Sequence, residues 1–185
     1  VESTPIKGTR RRGASLADDA RLRSELRDAA KDRAELVMIV DLVRNDLGRV
    51  AVVGSVVAGD RVITAHPTVF HAAWPVRAEL LPGRDAWDAL AATFPPGSVT
   101  GAPKVRACQR IAALEPHPRG VYCGAIGYAA DGGDARFSVA IRTGVFDGPD
   151  ARYHVGGGIV VDSDPAAEWD ETVAKELALR RALVG

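Results

Sequence analysis

The last predicted helix carries two carboxylates and one ammonium group at a spacing that could hold a metal ion and an anion. Glu168, Glu171 and Lys175 stand at positions i, i+3 and i+7, so all three share one face of a helix. Two carboxylates beside an ammonium group suit a hard divalent cation and its anionic ligand. The same spacing is typical of an exposed glutamate–lysine pair, which stabilises a helix by only about 0.2–0.5 kcal/mol. Spacing alone leaves both interpretations open.

A second group of carboxylates lies on an earlier predicted helix. Glu35 and Asp41 belong to a helical segment that covers about 34–47. An acid from this helix could complete a metal site with an acid from the last helix. The spacing within each helix does not reveal whether the two helices meet.

Glycine and arginine in predicted strands could bind an anion. The segment Gly156–Gly158 interrupts a β-branched run, where glycine marks either a bulge that serves packing or the close approach of a ligand. Arg142 is predicted in the middle of a strand, either on a solvated face or turned inward as a fork for a carboxylate. The segment 96–104 lacks the spacing of a phosphate-binding P-loop, so it does not indicate a nucleotide site.

Two side chains could transfer a proton or attack a substrate. His71 lies in the segment VFHAAW and is either a structural histidine or a catalytic one. Lys7 lies between Ile6 and Gly8, where partial burial could lower the pKa of its ammonium group and make it a nucleophile. The ordinary interpretation of a single lysine is a surface charge.

The elements that must position these residues mix helices with hairpins. Helical periodicity covers five segments: 16–32, about 34–47, 84–93, 103–114 and 165 to about 184. Strand-like composition covers six: 50–58, 61–65, 68–76, 124–130, 135–146 and 152–161. Consecutive hairpins with a separate set of helices indicate an α+β fold rather than a parallel doubly wound sheet.

Composition limits the class of protein. The 185 residues carry 24 Lys+Arg and 24 Asp+Glu, and a formal net charge of zero argues against a nucleic-acid partner. The apolar runs are too short to span a bilayer, and the N-terminus has no apolar stretch of a signal peptide, so we expect no membrane association. The 2 cysteines form neither a disulfide framework nor a metal cluster, which favours a reducing, cytoplasmic location.

Six segments together resemble the chorismate-utilising enzymes, which include anthranilate synthase component I, aminodeoxychorismate synthase component I, and isochorismate and salicylate synthases. In the order of the family they are PIKGTRRRG (5–13), ELVMIVDLVRNDLGRVA (35–51), FPPGSVTGAPKVRA (94–107), GAIGY (124–128), AIRTGVF (140–146) and GGGIVVDSDPAAEWDETVAKELAL (156–179). The combination of RNDLGRV, TGAPK and the DSDP segment is highly specific. The resemblance implies an α+β fold in which antiparallel β-sheets pack face to face with helices outside.

The resemblance implies a magnesium site and a clamp for a dicarboxylate. Family enzymes hold Mg²⁺ with a glutamate from each of two helices, and these positions match Glu35 and Glu171, with Glu168 in support. The metal ion binds one carboxylate of chorismate. The groups that match those holding the other carboxylate are Tyr128, Arg142, Lys175 and the backbone N–H groups of Gly156, Gly157 and Gly158.

Three further positions are assigned through the resemblance. Thr9 matches a threonine that approaches the substrate, and His71 matches the active-site histidine of the family. Thr100 lies in the matching TGAPK segment and is assigned to substrate binding. With Lys7, the residues Thr9 and His71 form the expected catalytic set.

Lys7 indicates the subfamily. Anthranilate synthases usually read PIAGT where this chain has PIKGT, which resembles aminodeoxychorismate synthase component I. In that enzyme the lysine attacks C2 of chorismate and expels the C4 hydroxyl. Ammonia from a glutamine amidotransferase partner then adds at C4 and displaces the lysine. The product, 4-amino-4-deoxychorismate, serves para-aminobenzoate and folate biosynthesis, so we expect a Mg²⁺-dependent transferase.

Length and two departures qualify this prediction. The strands and the Ser-Pro-Glu motif that begin the family's catalytic domain precede the position of Val1, so residues 1–185 are interpreted as the C-terminal portion of an incomplete domain. Leu36 stands where the family usually has histidine, and Trp74 where it has a small serine. The alternatives are anthranilate synthase component I and a truncated remnant that binds chorismate without catalysis.

Overall fold

The computed structural model describes residues 1–161 and 163–184, and Asp162 of the DSDP segment lies outside the described residues. The α-helices in this part of the chain are α1 (Leu16–Asp28), α2 (Ala30–Gly48), α3 (Ala86–Thr93), α4 (Lys104–Leu114) and α5 (Pro165–Val184). A short 3₁₀ helix covers Gly97–Val99. The strands are β1 (Glu2–Ser3), β2 (Ile6–Arg11), β3 (Val57–Ala58), β4 (Val62–Ala65), β5 (Val69–Ala73), β6 (Val76–Arg77), β7 (Ala125–Ala129), β8 (Ala135–Val139), β9 (Gly144–Asp147) and β10 (Asp150–Tyr153).

The strands form small antiparallel sheets. Two sheets have three strands, in the orders β2-β5-β4 and β1-β6-β3. Two are hairpins, β7-β8 and β9-β10. The α+β prediction with antiparallel pairing is therefore confirmed.

Helices α1 and α2 pack on the β2-β5-β4 sheet and form the core with it. Ser15 begins α1, because its hydroxyl oxygen accepts the backbone N–H of Asp18. Leu26 and Leu36 are fully buried within a cluster that also contains Val40, Leu47, Ala51, Phe70, Ala72, Val76 and Ala78. The position of Leu36 inside this cluster accounts for a hydrocarbon side chain where the family usually has histidine.

The division between α1 and α2 lies earlier than the sequence indicated. Ala29, with ψ of 102°, ends α1, and α2 begins at the next residue. No glycine or proline marks this break, so the helical pattern continues through it. As a consequence Asp32 belongs to α2 and stands three residues before Glu35, on the same face of the helix.

Two predicted strands are shorter in the structure. The segment 50–58 forms one isolated bridge at Ala51 and the two-residue β3, because Gly54 turns the chain at φ +85°. The segment 68–76 is divided into β5 and β6, and Pro75, which has no backbone N–H to donate to a ladder, lies between them.

The second half of the chain is more open than the first. All residues of β7 are exposed, as are the large apolar side chains of Phe146 and Trp169. Exposed apolar surface of this kind is typical of a contact area with another part of a protein or with a partner.

Among the described helices, none has the length and apolar character needed to cross a membrane.

A buried ion pair joins the RNDLGRV segment to TGAPK. Asp46 is only 4% exposed, and its Oδ2 lies 2.5 Å from Lys104 Nζ. Lys104 also donates to the carbonyl oxygen of Thr93 at 3.1 Å, and Arg49 Nη2 lies 3.2 Å from Asp46 Oδ1. The ends of α2 and α3 are thereby fixed to the beginning of α4. The lysine of TGAPK thus has a structural partner.

We expect Lys104→Met to lower the free energy of unfolding by about 2 kcal/mol or more, because the buried carboxylate of Asp46 would keep only Arg49 as a cationic partner. The control is Arg44→Ala, which removes an exposed pair with Asp41 on the same helix and should cost less than about 1 kcal/mol. Urea unfolding followed by circular dichroism measures both values. Equal losses in the two variants would contradict a special role for the buried pair.

Candidate functional site

A β-bulge in β2 determines where Lys7 lies. Ile6 pairs with Ala73 of β5, and Thr9 pairs with His71. Between these two pairs β2 has one residue more than β5, so the strand is irregular at Lys7 and the following glycine. The bulge places Lys7 at a position where the side-chain alternation of a regular strand is broken.

Gly8 allows the bulge to pack closely against the helices. Its φ is +93°, a conformation that residues with a side chain rarely adopt. A Cβ atom at this position would lie 2.9 Å from Leu26 Cδ1 and 3.0 Å from Asp32 Cγ. Glycine in the KGT segment is therefore required by both backbone conformation and space.

Lys7 forms an ion pair with Glu35, which α2 brings beneath the bulge. The distance from Lys7 Nζ to Glu35 Oε2 is 2.6 Å, and the lysine side chain is 37% exposed. Burial, the largest influence, acts to lower the pKa of Lys7, but the hydrogen bond and charge of Glu35 oppose it. With the charges of Glu171 and Asp32 added, the pKa of Lys7 is raised. The expectation of a lowered pKa, which considered burial alone, is wrong for this arrangement.

Helix α5 contributes a second lysine–glutamate pair. Lys175 Nζ lies 2.6 Å from Glu171 Oε1 and donates to the carbonyl oxygen of Gly156 at 3.0 Å. The hydrogen bond from Lys175 is the main cause of a lowered pKa of Glu171, and the charge of Lys7 adds to it. The two ends of the chain therefore contribute to one group of interacting charges.

The glycine segment follows α5 closely instead of continuing as a strand. Of the predicted strand 152–161, only residues 152 and 153 belong to β10. A Cβ atom on Gly157 would lie 3.0 Å from Glu168 Oε2, while Glu168 Oε1 accepts the hydroxyl of Ser163 at 2.7 Å. Close approach, rather than a bulge within a strand, thus explains the glycine at this position. Around Gly158 the space is open.

The carboxylates of this group fit a divalent cation by their chemistry. Glu35 and Glu171 both act on the pKa of Lys7, and carboxylate oxygens are the ligands that Mg²⁺ prefers. Since Mg²⁺ keeps several waters, one or two carboxylates suffice to hold it. Within residues 1–161 and 163–184, no three His, Cys, Asp or Glu side chains are gathered as a preformed metal site. A cation would have to compete with the two lysines for these carboxylates.

His71 faces Thr9 across the β2-β5 pair and lies near two basic side chains, His66 and Arg142. Its ring lies 4.9 Å from the ring of His66, measured between centroids. Burial is the main cause of a lowered pKa of His71, and the charges of His66 and Arg142 lower it further. Since its ordinary pKa is 6.5, the imidazole is neutral at pH 7.

Arg142 lies between two strands and not in the middle of one, so the predicted strand position is wrong, whereas its exposed side chain agrees with the interpretation of a solvated arginine. Strand β8 ends at Val139 and β9 begins at Gly144. Between them the N–H of Ile141 donates to the carbonyl oxygen of Val139 at 2.9 Å, and Arg142 has φ +52°. The arginine is exposed, yet near enough to His71 for its charge to act on the histidine.

Two predicted substrate-binding residues make no hydrogen bond or ion pair with the lysine pairs among the described residues. Tyr128 is on β7 and is 59% exposed. Thr100 donates its hydroxyl proton to the carbonyl oxygen of Pro96 at 3.0 Å, at the end of the 3₁₀ helix.

Sequence reasoning missed Asp32, which lies beside the site. Asp32 Oδ2 is 3.2 Å from Arg10 Nη2, and its charge contributes to the raised pKa of Lys7. Its spacing of three residues from Glu35 was an available signal. The predicted boundary between the two helices obscured it, because that boundary fell between the two acids.

We expect the pKa of His71 to lie below 6.5 in an NMR titration and to rise in His66→Asn, which removes one neighbouring charge. The folded state then binds this proton less readily than the unfolded state, so the stability contributed by neutral His71 is present above pH 6.5 and lost as the pH falls through the folded pKa. Urea unfolding measures the free energy of unfolding at a pH above the ordinary pKa of histidine and at a pH below the folded pKa of His71. Between these two pH values, His71→Gln should lose less stability than the wild type. A His71 pKa at or above 6.5 would contradict the arrangement.

Known proteins resemble this chain over nearly its whole length. The family described as chorismate binding enzyme matches residues 1–181. The chain is 51% identical to the aminodeoxychorismate synthase of Streptomyces griseus, covering 99% of the chain and 25% of that protein. It is 48% identical to anthranilate synthase component 1 of Aquifex aeolicus, covering 99% of the chain and 37% of that protein.

Solved structures agree with this relationship. Anthranilate synthase component I from Streptococcus pneumoniae superimposes with a TM-score of 0.83 at 40% identity, over 94% of this chain and 38% of that one. The chain thus spans well under half the length of the relatives it matches. A family match over residues 1–181, supported by the shared fold, establishes the relationship. The chain belongs to the chorismate-binding enzyme family.

Proposed function

We propose that the protein is an aminodeoxychorismate synthase component I and that residues 1–185 form the C-terminal part of its catalytic domain. The observation that supports this most is the position of Lys7. The lysine that distinguishes PIKGT from PIAGT lies in a bulge, partly buried, 2.6 Å from Glu35. This combination of an irregular backbone position, partial burial and an acidic partner supports a role for Lys7 beyond that of a surface charge.

The proposed substrate, chorismate, is a dicarboxylate, and the charges of the site suit its two ends. Lys175 and the backbone at Gly156–Gly158 would bind one carboxylate, with Tyr128 of β7 and Arg142 from the segment between β8 and β9. The hydrogen bond between Lys175 and the carbonyl oxygen of Gly156 supports this role, because it holds the ammonium group beside the glycine backbone. Thr100 would bind the substrate from the TGAPK segment.

Mg²⁺ would be held by Glu35 and Glu171, with Glu168 in support. When bound, the ion would neutralise the second carboxylate of the substrate and orient it. The charges of Glu35 and Glu171 both act on Lys7, which supports a location where these two acids serve one ligand. Glu168, fixed by Ser163 and close to Gly157, would support the backbone around the site.

The proposed chemistry requires the neutral amine of Lys7. Its Nζ would form a bond to C2 of chorismate while the bond from C4 to the hydroxyl breaks, and the hydroxyl would leave as water after taking a proton. Ammonia supplied by a glutamine amidotransferase partner would then bond to C4 and release Lys7 from C2. Thr9 and His71, which face each other beside Lys7, would bind and exchange protons near the reacting ring. Because the pair with Glu35 raises the pKa of Lys7, loss of a proton from Lys7 must precede the attack.

Anthranilate synthase component I is the second candidate. The raised pKa of Lys7 favours a charged lysine, which would suit binding of an anion better than nucleophilic attack. Relatives with this name are as similar as those named aminodeoxychorismate synthase, at 48% and 47% identity against 51% and 45%.

Product analysis distinguishes the two candidates. The protein encoded by the reading frame that contains these residues is incubated with chorismate, Mg²⁺ and ammonium, and the products are identified by liquid chromatography and mass spectrometry. We expect 4-amino-4-deoxychorismate. Lys7→Ala should lower the rate by on the order of 100-fold or more, whereas Arg21→Ala, which removes an exposed cation of α1, should leave it unchanged.

Two outcomes would contradict the proposal. Anthranilate formed without an added lyase would favour the second candidate. Full activity of Lys7→Ala at low ammonia would exclude the covalent role of Lys7, whatever the product.

For the isolated 185 residues we expect Mg²⁺-dependent binding of chorismate that is weak, with Kd on the order of 1 mM or above. The exposed apolar residues of β7 support this, because a binding surface that lacks its neighbouring elements is poorly ordered. Titration calorimetry with and without Mg²⁺ measures the affinity, and Glu171→Gln should abolish the dependence on Mg²⁺. Tight, Mg²⁺-dependent binding to this chain would refute the expectation.

A further inference from the structure

Three side chains outside the proposed chorismate site form one stack. Arg119 Cζ lies 5.8 Å from the centroid of the Tyr122 ring. The Tyr122 ring in turn stacks on the imidazole of His154, with centroids 5.5 Å apart and an angle of 19° between the planes. Contacts between a guanidinium and a ring, and between stacked rings, are attractive and fix the mutual orientation of flat groups.

One end of the stack holds the TGAPK segment. Arg119 Nη1 donates to the carbonyl oxygen of Val99 at 2.9 Å, directly before Thr100. The guanidinium is itself fixed by two hydrogen bonds to Glu115, Nε to Oε2 at 2.8 Å and Nη2 to Oε1 at 2.6 Å. A paired fork of this kind leaves the plane of the guanidinium little freedom.

The other end holds the glycine segment. A Cβ atom on Gly156 would lie 3.1 Å from the hydroxyl oxygen of Tyr122, so the hydroxyl is in close contact with the glycine backbone. His154, two residues earlier, carries the stacked ring. The segment 154–160 has no regular hydrogen-bonded structure of its own, so contacts of this kind determine where it lies. Gly156 also provides the carbonyl oxygen that accepts from Lys175.

We propose that Tyr122 is a positioning residue, which holds Gly156 and the Lys175 ammonium group in a fixed arrangement relative to the Thr100 segment. The proposal rests on the proposed binding of chorismate at that arrangement. Tyr122 acts through the glycine segment and does not itself touch the substrate. Its phenol is neutral near pH 7, and burial moves the pKa of Tyr122 further from neutrality, to about 12. Loss of the hydroxyl should therefore change binding without changing the shape of the pH profile.

A double-mutant cycle tests the contact in the protein that contains this chain. We expect Gly156→Ala to raise KM for chorismate by about 10-fold, because the added methyl group would press on the Tyr122 hydroxyl. Tyr122→Phe alone should raise KM by about 3-fold, with kcat changed less and the pH profile of kcat/KM unchanged in shape. The double variant should have a KM close to that of Tyr122→Phe, because removal of the hydroxyl makes room for the methyl group.

Tyr153→Phe provides the matched control. The hydroxyl of Tyr153 donates to the backbone carbonyl of Lys175 at 3.5 Å and lies on the same segment, but the close contact of Gly156 is with Tyr122. The effects of Tyr153→Phe and Gly156→Ala on KM should be additive in the double variant. If the effects of Tyr122→Phe and Gly156→Ala on KM are additive as well, the proposal is overturned.

Limited proteolysis separates this inference from the proposed function. In Tyr122→Ala, a protease that cleaves beside apolar residues should cut within residues 154–160 about 10-fold faster than in the wild type, and Tyr122→Phe, which keeps the ring, should restore most of the resistance. An unchanged rate of cleavage within this segment would overturn the positioning role, even if chorismate is converted. If cleavage responds as expected and the wild type does not convert chorismate, the contact stands and the proposed function fails.

Discussion

Two lysine–glutamate pairs from opposite ends of the chain influence one another, and the candidate site depends on this group of charges. Lys7 pairs with Glu35 of α2, and Lys175 pairs with Glu171 of α5, each at 2.6 Å. Glu171 helps to raise the pKa of Lys7, and Lys7 helps to lower the pKa of Glu171. The four charges sum to zero. A divalent cation would compete with the lysines for the carboxylates, and a dicarboxylate would compete with the glutamates for the ammonium groups.

Local features of the backbone determine that these charges meet. The bulge at Gly8 brings β2 against α2, and no residue with a Cβ atom would fit there without displacing Leu26 or Asp32. The buried pair of Asp46 and Lys104 fixes the far end of α2 to the beginning of α4. The residues of the family motifs therefore have two kinds of role. Some carry charge at the candidate site, and others hold the helices in place.

The helices were largely predictable from periodicity, whereas several strands were not. The predicted helix 103–114 agrees with α4 to within one residue, because its pattern is local. Arg142 was placed in a strand because its neighbours are apolar, but a turn, which depends on the partner strands, separates β8 from β9. The raised pKa of Lys7 could not be predicted either. Burial could be inferred from its neighbours in sequence, but the opposing effect of Glu35 depends on a contact between β2 and α2.

The meeting of the two chain ends is tested most directly by the pKa of Glu171, measured by carbon NMR of its side-chain carboxyl group in the 185-residue chain. The account predicts a pKa below the ordinary value of 4.5, a rise in Lys175→Met, which removes the main cause, and a smaller rise in Lys7→Met. Both substitutions remove a charge while keeping a long side chain. A pKa of Glu171 that does not respond to Lys7→Met would contradict the account, because α5 would then not lie beside the bulge of β2.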